Sequence, residues 1–193
     1  APLAFFASSS SPHALVISPL FVQKNNDDQI PQNTGSAART AAATRLPLHL
    51  VGPLGFDVED KKLKRAGLDY WDSVVLRIWP DWSSFFEGVS KSSASSSSRP
   101  SPRFVAFSKR GSVHFATPGV YGEPTAERPT YLLFGAETTG LPEEAHAAAA
   151  AVVRLPIEQR HVRSLNLAVS VGVGAYEALR QVDGVSELPD IGE

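Results

Sequence analysis

The segment "LLFGAETTGLPEE", residues 132–144, carries an apolar run directly into a loop that contains glycines, a carboxylate and a proline. The run "TYLLFG" predicts a buried strand, and the residues after Pro142 predict the start of a helix. Glu137 stands between Gly135 and Gly140, whereas a plain connection could use almost any polar residue. Because glycine has no Cβ, its backbone can turn tightly and approach a ligand closely. The stretch therefore indicates a loop with a specific role at the end of a core strand.

Strand-forming runs and helix-forming segments alternate on both sides of this stretch. Strands are predicted at residues 15–22, 46–51, 73–79, 103–108, 130–135 and 153–157. Helices are predicted, from capping residues and propensity, at residues 33–45, 57–67, 81–91 and 143–153. This alternation predicts an α/β fold with a largely parallel sheet flanked by helices, in which ligands bind at the carboxyl ends of the strands.

The last segment with a clear pattern, residues 164–181, is ambiguous by its apolar period. Its leucines and valines alternate as in a strand, yet Leu165, Ala168 and Gly172 also form a stripe at helical spacing. The length of the segment and its ending "AYEALRQ" favour a helix. The small residues of this helix would let another backbone approach closely.

The chain of 193 residues suits one domain with enough length to bury a core. Residues 14–182 are predicted to form that domain, and the Ser-rich residues 92–102 are predicted to be a flexible loop inserted into it. Residues 1–13 and 183–193 are predicted to be tails. The first tail is either disordered or the remnant of an organellar transit peptide, so a cytoplasmic and an organellar location both stay open.

Composition excludes several classes of function. The chain has no Cys, which excludes thiol catalysis and disulfides, and its five His show no paired metal-ligand spacing, so no metal is expected. No apolar stretch reaches the roughly 18 residues of a membrane span, so no membrane is expected. With a formal net charge of -2, any RNA-binding surface must be a local basic patch. Glycine patterns typical of dinucleotide sites and P-loops are absent.

Four segments of the sequence, taken together, resemble a known family. They are, in order, "IPQNTGSAART", "GPLGFDVEDKKLKRAGLDYW", "LLFGAETTGLPEE", and "RLPI" followed by "RSLNL". Together they resemble the SPOUT family of RNA methyltransferases, and most closely its TrmL-type tRNA ribose 2′-O-methyltransferases, which act on the wobble nucleotide. The resemblance covers roughly residues 15–181. Several ordered motifs at matching separations make this likeness specific, whereas any one of them alone would be weak.

This resemblance implies a deep trefoil knot in the C-terminal half, a rare exception to the rule against threaded chains. It also implies a homodimer, S-adenosylmethionine as the cofactor, and tRNA, bound through its anticodon stem-loop, as the substrate. The residues that match cofactor-holding positions or line the same pocket are Phe107, Gly135, Leu155, Ile157, Ser164 and Leu165. For the apolar side chains in this set, simple core packing is the alternative.

Four further residues match family positions near the reacting group. Because arginine stays protonated, Arg39 is expected to position a phosphate or a hydroxyl, or to be only a surface arginine of its helix, and the group that takes the proton stays open. Asn33 is expected to order a loop or contact the substrate, or to act only as a helix N-cap. Asn166 is expected near the reacting centre, or closes its loop by hydrogen bonding. Glu137 either balances the positive sulfonium or accepts hydrogen bonds that brace the loops.

The activity implied by the resemblance is transfer of a methyl group from S-adenosylmethionine to the ribose 2′-hydroxyl of tRNA nucleotide 34. One departure from the family pattern bears on this activity. After "SLNL", close relatives are expected to have a Ser-Asn pair, whereas this chain has Ala168 and Val169. A SPOUT-fold protein that binds RNA or joins a larger assembly, with weak or no catalysis, is therefore the alternative.

Overall fold

The structure is a computed structural model that describes residues 13–17, 32–52, 70–93, 101–125, 128–136 and 139–183. Its strands are β1 His13–Ile17, β2 Leu48–Val51, β3 Leu76–Trp79, β4 Arg103–Phe107, β5 Val113–His114, β6 Thr130–Phe134 and β7 Ala151–Arg154. Its helices are α1 Gln32–Thr44, α2 Trp82–Ser93, α3 Glu143–Ala148 and α4 Leu167–Asp183, together with a 3₁₀ helix at Trp71–Ser73.

The described strands form one seven-stranded sheet in the order β3-β2-β1-β6-β4-β7-β5, and every pairing is parallel. The predicted α/β fold with a largely parallel sheet is confirmed. Strand β6 ends with the first three residues of the segment 132–144 and lies in the middle of the sheet. Its residue Leu132 is in register with Leu15 of β1 and Val105 of β4. All five residues of β6 are buried, as expected of a strand whose two faces are both covered.

Two buried clusters lie on opposite faces of this sheet, because alternate residues of a strand point to opposite sides. The first core cluster takes Leu132 and Phe134 from β6, and the second takes Tyr131 and Leu133. The helix residues of the first core cluster are Ala37, Ala38, Ala41, Leu167, Val171, Ala175 and Ala178, from α1 and α4. The helix residues of the second core cluster are Phe85, Val89 and Ala145, from α2 and α3. Helices therefore cover both faces of the sheet.

The helices on the first face, α1 and α4, contact each other as well as the sheet. Alanine has the highest helix propensity, so the Ala-rich sequence of α1 forms a helix readily. Alanine also has a small side chain, and Ala37, Ala38 and Ala175 are fully buried. Small buried residues allow the two helices to lie close together, which brings the residues around position 33 near those around position 166.

The predicted helix at residues 143–153 is wrong in its second half. The helix ends at Ala148, and strand β7 begins at Ala151 instead of residue 153. The backbone N–H of Ala150 donates to the carbonyl oxygen of Phe104 at 2.8 Å, and β7 then pairs with β4. This long-range pairing outweighs the local helix propensity of the alanine run. The predicted strand at 153–157 consequently ends earlier, at Arg154.

Several other boundaries differ by a few residues. Strand β3 starts at Leu76 rather than residue 73, because Trp71–Ser73 forms the 3₁₀ helix. Strand β1 starts at His13 rather than residue 15. The two-residue strand β5 was not predicted, since so short an element carries no readable period. The ambiguous last segment is a helix, as predicted, and it begins at Leu167.

Some predictions fall on residues outside the described ranges. These are the end of the first strand, the helix at 57–67, most of the Ser-rich loop and most of both tails. Within the described residues, we find no helix with the length and apolar character needed to cross a membrane.

Candidate active site

A cavity of about 450 Å³ lies where β4, β6 and β7 end and α4 begins. This is the carboxyl edge of the parallel sheet, where ligands bind in such folds. The six residues predicted to hold a cofactor all line this cavity: Phe107, Gly135, Leu155, Ile157, Ser164 and Leu165. They come from three parts of the chain, namely the end of β4, the end of β6 and the loop between β7 and α4, so only the folded structure brings them together. Their role in binding a cofactor stays a prediction.

Two stacked aromatic rings form part of the cavity wall. The ring centroids of Phe107 and Phe134 are 4.5 Å apart and their planes differ by 19°. Helix α4 approaches these rings closely, since a Cβ added to Gly174 would lie 2.7 Å from Cζ of Phe107 and 2.9 Å from Cζ of Phe134. The wall therefore depends on a residue without a side chain at position 174.

The loop after β6 folds back on itself at the edge of the cavity. The backbone N–H of Gly140 donates to the carbonyl oxygen of Ala136 at 2.8 Å, and Gly140 has a φ of 74°. A Cβ on Gly135 would collide with the carbonyl carbon of Gly140 and the backbone nitrogen of Leu141. The two glycines are thus needed for a tight turn and a close backbone approach. Glu137 lies outside the described residues, so its predicted role also stays a prediction.

Basic side chains lie around the same cavity. Lys109, Arg110, His146 and Arg163 contribute to its lining. The guanidinium of Arg110 is 3.4 Å from a carboxylate oxygen of Glu143, with both side chains well exposed to solvent, and an ion pair of this kind contributes little to stability. The lining is therefore mixed, with apolar walls and positive groups.

The loop between β7 and α4 contains two arginines in different environments. Nε and Nη2 of Arg160 each donate to Glu158 at 3.0 Å, and these bonds, together with a backbone bond, lower the pKa of the Glu158 carboxyl. The bidentate pairing commits Arg160 to its neighbour. Arg163, by contrast, lines the cavity.

The predicted residues Asn33 and Asn166 are in direct contact. Nδ2 of Asn166 donates to Oδ1 of Asn33 at 2.9 Å. Oδ1 of Asn166 accepts hydrogen bonds from the backbone N–H groups of Ala168 at 2.8 Å and Val169 at 3.3 Å, which makes Asn166 the N-cap of α4. This one side chain therefore caps α4 and ties its start to α1. Neither asparagine is among the residues that line the cavity.

Arg39 lies on the exposed side of α1 and also does not line the cavity. Its guanidinium carbon is 4.8 Å from the centroid of the Tyr70 ring. The hydroxyl of Tyr70 donates to the carbonyl oxygen of Gly35 at 2.9 Å, within the same helix. The structure thus places Arg39 beside Tyr70, on the same helix as Asn33. This helix begins at Gln32, so Asn33 lies in its first turn and is not its N-cap.

Several lining residues were not predicted from the sequence, among them Phe134, Ser108, Leu141, Leu167 and Ser170. Phe134 is the last residue of a predicted strand, and Ser170 lies one helical turn after Asn166. Both positions could have been inferred from the predicted elements. Among the described residues, no group of three or more His, Asp or Glu side chains is placed to hold a metal ion.

The chain is similar to known proteins along most of its length. Residues 26–176 match the model of the SpoU rRNA Methylase family. A tRNA (cytidine(34)-2′-O)-methyltransferase of Aeromonas hydrophila is 36% identical over 169 residues, which cover 84% of this chain and 94% of that protein. A solved structure concerned with the 2-OH methylation of C/U34 on tRNA is 42% identical, with a TM-score of 0.67, and the match covers 90% of this chain and 99% of that one.

A further solved structure is the SpoU methyltransferase AviRb of Streptomyces viridochromogenes in complex with the cofactor AdoMet. It is 25% identical with a TM-score of 0.67, and the match covers 88% of this chain and 59% of that one. The resemblance inferred from the sequence motifs is confirmed, because the family match extends over more than half of the chain. The chain therefore belongs to the SpoU rRNA methylase family.

Proposed function

We propose that the protein is an S-adenosylmethionine-dependent tRNA ribose 2′-O-methyltransferase that acts on nucleotide 34. One observation carries the proposal: the six residues that the family resemblance placed at cofactor positions or in the same pocket line a single cavity, although they come from three distant parts of the chain. The protein from Aeromonas hydrophila and the solved structure on C/U34 methylation support the choice of nucleotide.

The cavity fits S-adenosylmethionine in size and in chemistry. Its volume of about 450 Å³ lies within the roughly 300–1,000 Å³ of small-molecule sites. The side chains of Phe107, Leu155 and Ile157 offer an apolar surface for a purine ring, and the tight turn around Gly135 brings backbone groups close. When bound, the cofactor supplies an electrophilic methyl group on a sulfonium.

The basic groups beside the cavity suit a polyanionic substrate. Lys109, Arg110 and Arg163 would contact phosphates, which position an RNA without reading its sequence. Binding should then weaken steeply as the salt concentration rises, because each phosphate contact releases counterions. Single-stranded loops expose their bases most readily, which agrees with an anticodon-loop target.

The protein must also orient a weak nucleophile. A ribose 2′-hydroxyl reacts only when it is held in line with the methyl group and can lose its proton. Arg39 is proposed to hold a phosphate or the hydroxyl itself, since a guanidinium that stays protonated is not a base. The bond between Asn33 and Asn166 would fix the loops beside the reacting group. Glu137 is proposed to brace these loops, with charge balance toward the sulfonium as the alternative.

The departure at Ala168 and Val169 leaves the cap of α4 intact. Both residues give their backbone N–H groups to the Asn166 side chain, and neither lines the cavity. An RNA-binding protein with weak or no catalysis stays the alternative, and the labelling experiment below tests it.

A deep trefoil knot is part of the proposal. Strand β7 lies between β4 and β5 in the sheet, although both precede it in sequence. Strand β7 is therefore inserted between two strands that residues 108–112 connect directly. This insertion supports a chain that passes through the connection from β4 to β5. An experimental structure in which residues 155–166 pass outside the connection from β4 to β5 would contradict the knot.

A homodimer is also proposed, with an exposed apolar stripe on α4 as the contact surface. Val169, Val173 and Tyr176 share one face of this helix and are 51%, 37% and 52% exposed. Exposed apolar patches of this kind mark interaction sites. Sedimentation should show that Val173→Glu lowers the molecular mass to that of a monomer. The control Ile78→Glu, at a residue of β3 that is 49% exposed, should leave the mass unchanged.

Methyl transfer can be tested directly. The purified protein is given S-adenosylmethionine with a labelled methyl group. It should transfer the label to a tRNA transcript whose nucleotide 34 contains ribose. The same transcript with a 2′-deoxyribose at that nucleotide should remain unlabelled. Calorimetry should detect cofactor binding in the absence of RNA. Equal labelling of the two transcripts would contradict the proposed position, and absence of cofactor binding would contradict the proposed activity.

A further inference from the structure

Tyr70 holds two parts of α1 at the same time. Its hydroxyl donates to the carbonyl oxygen of Gly35 at 2.9 Å, and its ring faces the guanidinium of Arg39, with 4.8 Å from Cζ to the ring centroid. Gly35 and Arg39 are four residues apart, so they lie on the same side of the helix, one turn from each other. The tyrosine therefore spans the turn that carries Arg39.

The Tyr70 side chain is itself fixed in place. It is half-buried and packs against the first core cluster, directly before the 3₁₀ helix at Trp71–Ser73. The core holds one part of the ring, the Gly35 carbonyl holds the hydroxyl, and Arg39 lies over the ring face. The tyrosine is thus a rigid platform on which an exposed arginine rests.

An exposed arginine needs such a platform if it is to act at a defined place. Its long side chain has many rotamers, and restricting them costs free energy when a substrate binds. A guanidinium over an aromatic ring is attracted by the ring's electrons and is restricted before the substrate arrives. The bond between Asn166 and Asn33 fixes the start of the same helix independently.

We propose that Tyr70 is a positioning residue for methyl transfer and that it acts through Arg39. The inference rests on the proposed function, in which Arg39 orients the reacting ribose or its phosphate. The ring carries the effect, whereas the hydroxyl mainly secures the ring. Tyr70 does not line the cavity, so its loss should lower the rate of transfer without weakening cofactor binding.

The test measures kcat for methyl transfer to tRNA with the full chain. It compares the single variants Tyr70→Leu, Tyr70→Phe and Arg39→Ala with a double variant that carries both Tyr70→Leu and Arg39→Ala. Tyr70→Leu should lower kcat by roughly fivefold, the upper end of what a cation–π contact at an exposed site contributes. Tyr70→Phe keeps the ring and should stay within about threefold of wild type. The double variant should be no slower than Arg39→Ala alone, because Tyr70 has nothing left to position.

A purely structural role for Tyr70 would give a different pattern. Tyr70→Leu would then slow the Arg39→Ala enzyme by the same factor as it slows wild type, and this additivity would overturn the proposal. A phenylalanine variant as slow as the leucine variant would overturn it too. Phe86→Leu is the matched control, since this 38% exposed ring contacts Phe104 of the second core cluster and Trp82, which packs against that cluster. It should leave kcat unchanged.

Wild-type activity separates this inference from the proposed function. A wild-type protein that transfers no methyl group would overturn both together. An active wild type with additive Tyr70 and Arg39 variants would overturn only the positioning role. The ring contact has its own measurement, since the NMR signal of the Arg39 Nε–H should carry a ring-current shift that is retained in Tyr70→Phe and lost in Tyr70→Leu.

Discussion

The two core clusters of this protein differ in the residues from which they are built. The helix residues of the first core cluster are mainly alanines, and its residues Phe107, Phe134 and Leu167 line the cavity. The second core cluster contains the aromatic residues Phe85, Phe104 and Tyr131, with Trp79 and Trp82 packed against it. Its residue Leu141 lines the cavity. The absence of a side chain at Gly174 lets α4 lie close to Phe107 and Phe134, and the cavity lies where this helix begins.

The aromatic side is a network of ring contacts around a buried histidine. The ring of His49 lies 5.6 Å from the rings of Phe85 and Tyr131 and is stacked with Trp79 at 6.0 Å. Nε1 of Trp79 donates to Nδ1 of His49 at 3.0 Å. We infer that the first face forms most of the site, whereas the second face contributes Leu141 to the cavity and otherwise packs the opposite side of the sheet. Each prediction below separates these two roles.

The largest effect is expected for Gly135→Ala. The new methyl group would collide with backbone atoms of Gly140 and Leu141, which cannot rotate away as a side chain could. The loop must then shift, and a displacement of about 1 Å can lower kcat/KM roughly 100-fold. Calorimetry with S-adenosylmethionine and initial rates with tRNA measure the loss. Wild-type values for both would show that the loop does not bind the cofactor.

Two glycines of α4 offer a matched pair on the first face. A Cβ at Gly174 would overlap the rings of Phe107 and Phe134, whereas a Cβ at Gly172 meets nothing within 4 Å. Gly174→Ala should therefore destabilise the fold by about 2 kcal/mol, as overpacking commonly does, and weaken cofactor affinity. Gly172→Ala should keep wild-type affinity. Equal affinities for the two variants would mean that α4 does not shape the cavity.

The sequence predicted the parts of this site that depend on local signals. Glycines after apolar runs marked the loops at Gly135 and Gly140, and the family resemblance marked six residues that share one cavity. Pairings between distant segments were harder to predict. The start of β7 was missed because its alanine run has high helix propensity, and only the pairing with β4 makes it a strand. The contact between Arg39 and Tyr70 likewise exists only in the folded chain.

Asn166 can be used to separate capping from bridging. Asn166→Ala removes the N-cap of α4 and the bond to Asn33, and should destabilise the fold by about 2 kcal/mol. Asn166→Asp keeps an oxygen that can cap the helix. It removes the side-chain N–H group that donates a hydrogen bond to Oδ1 of Asn33. It should therefore retain most of the stability and still lose activity. Chemical denaturation and initial rates measure the two effects. Full activity in Asn166→Asp would show that the bridge to α1 is dispensable.

The smallest effect concerns His49 and pH. Burial, and secondarily the charge of Arg77, lower the pKa of His49 from 6.5 to about 3. Between these values the unfolded chain binds a proton that the folded chain excludes, so stability falls as the pH falls below 6.5. The free energy of unfolding should decrease by about 1 kcal/mol between pH 6.5 and 5.5 through this group alone.

His49→Gln cannot titrate and provides the control for this pH dependence. Its free energy of unfolding should change less than that of wild type over the same interval, measured by urea denaturation at each pH. The pKa values of the Asp81, Glu158 and Glu177 carboxyl groups are lowered. These groups therefore affect stability at and below the ordinary pKa range of carboxyls and not between pH 5.5 and 6.5. At pH 7.5 the variant should bind S-adenosylmethionine as wild type does, because His49 does not line the cavity. A parallel loss of cofactor affinity would show that the aromatic face also shapes the site.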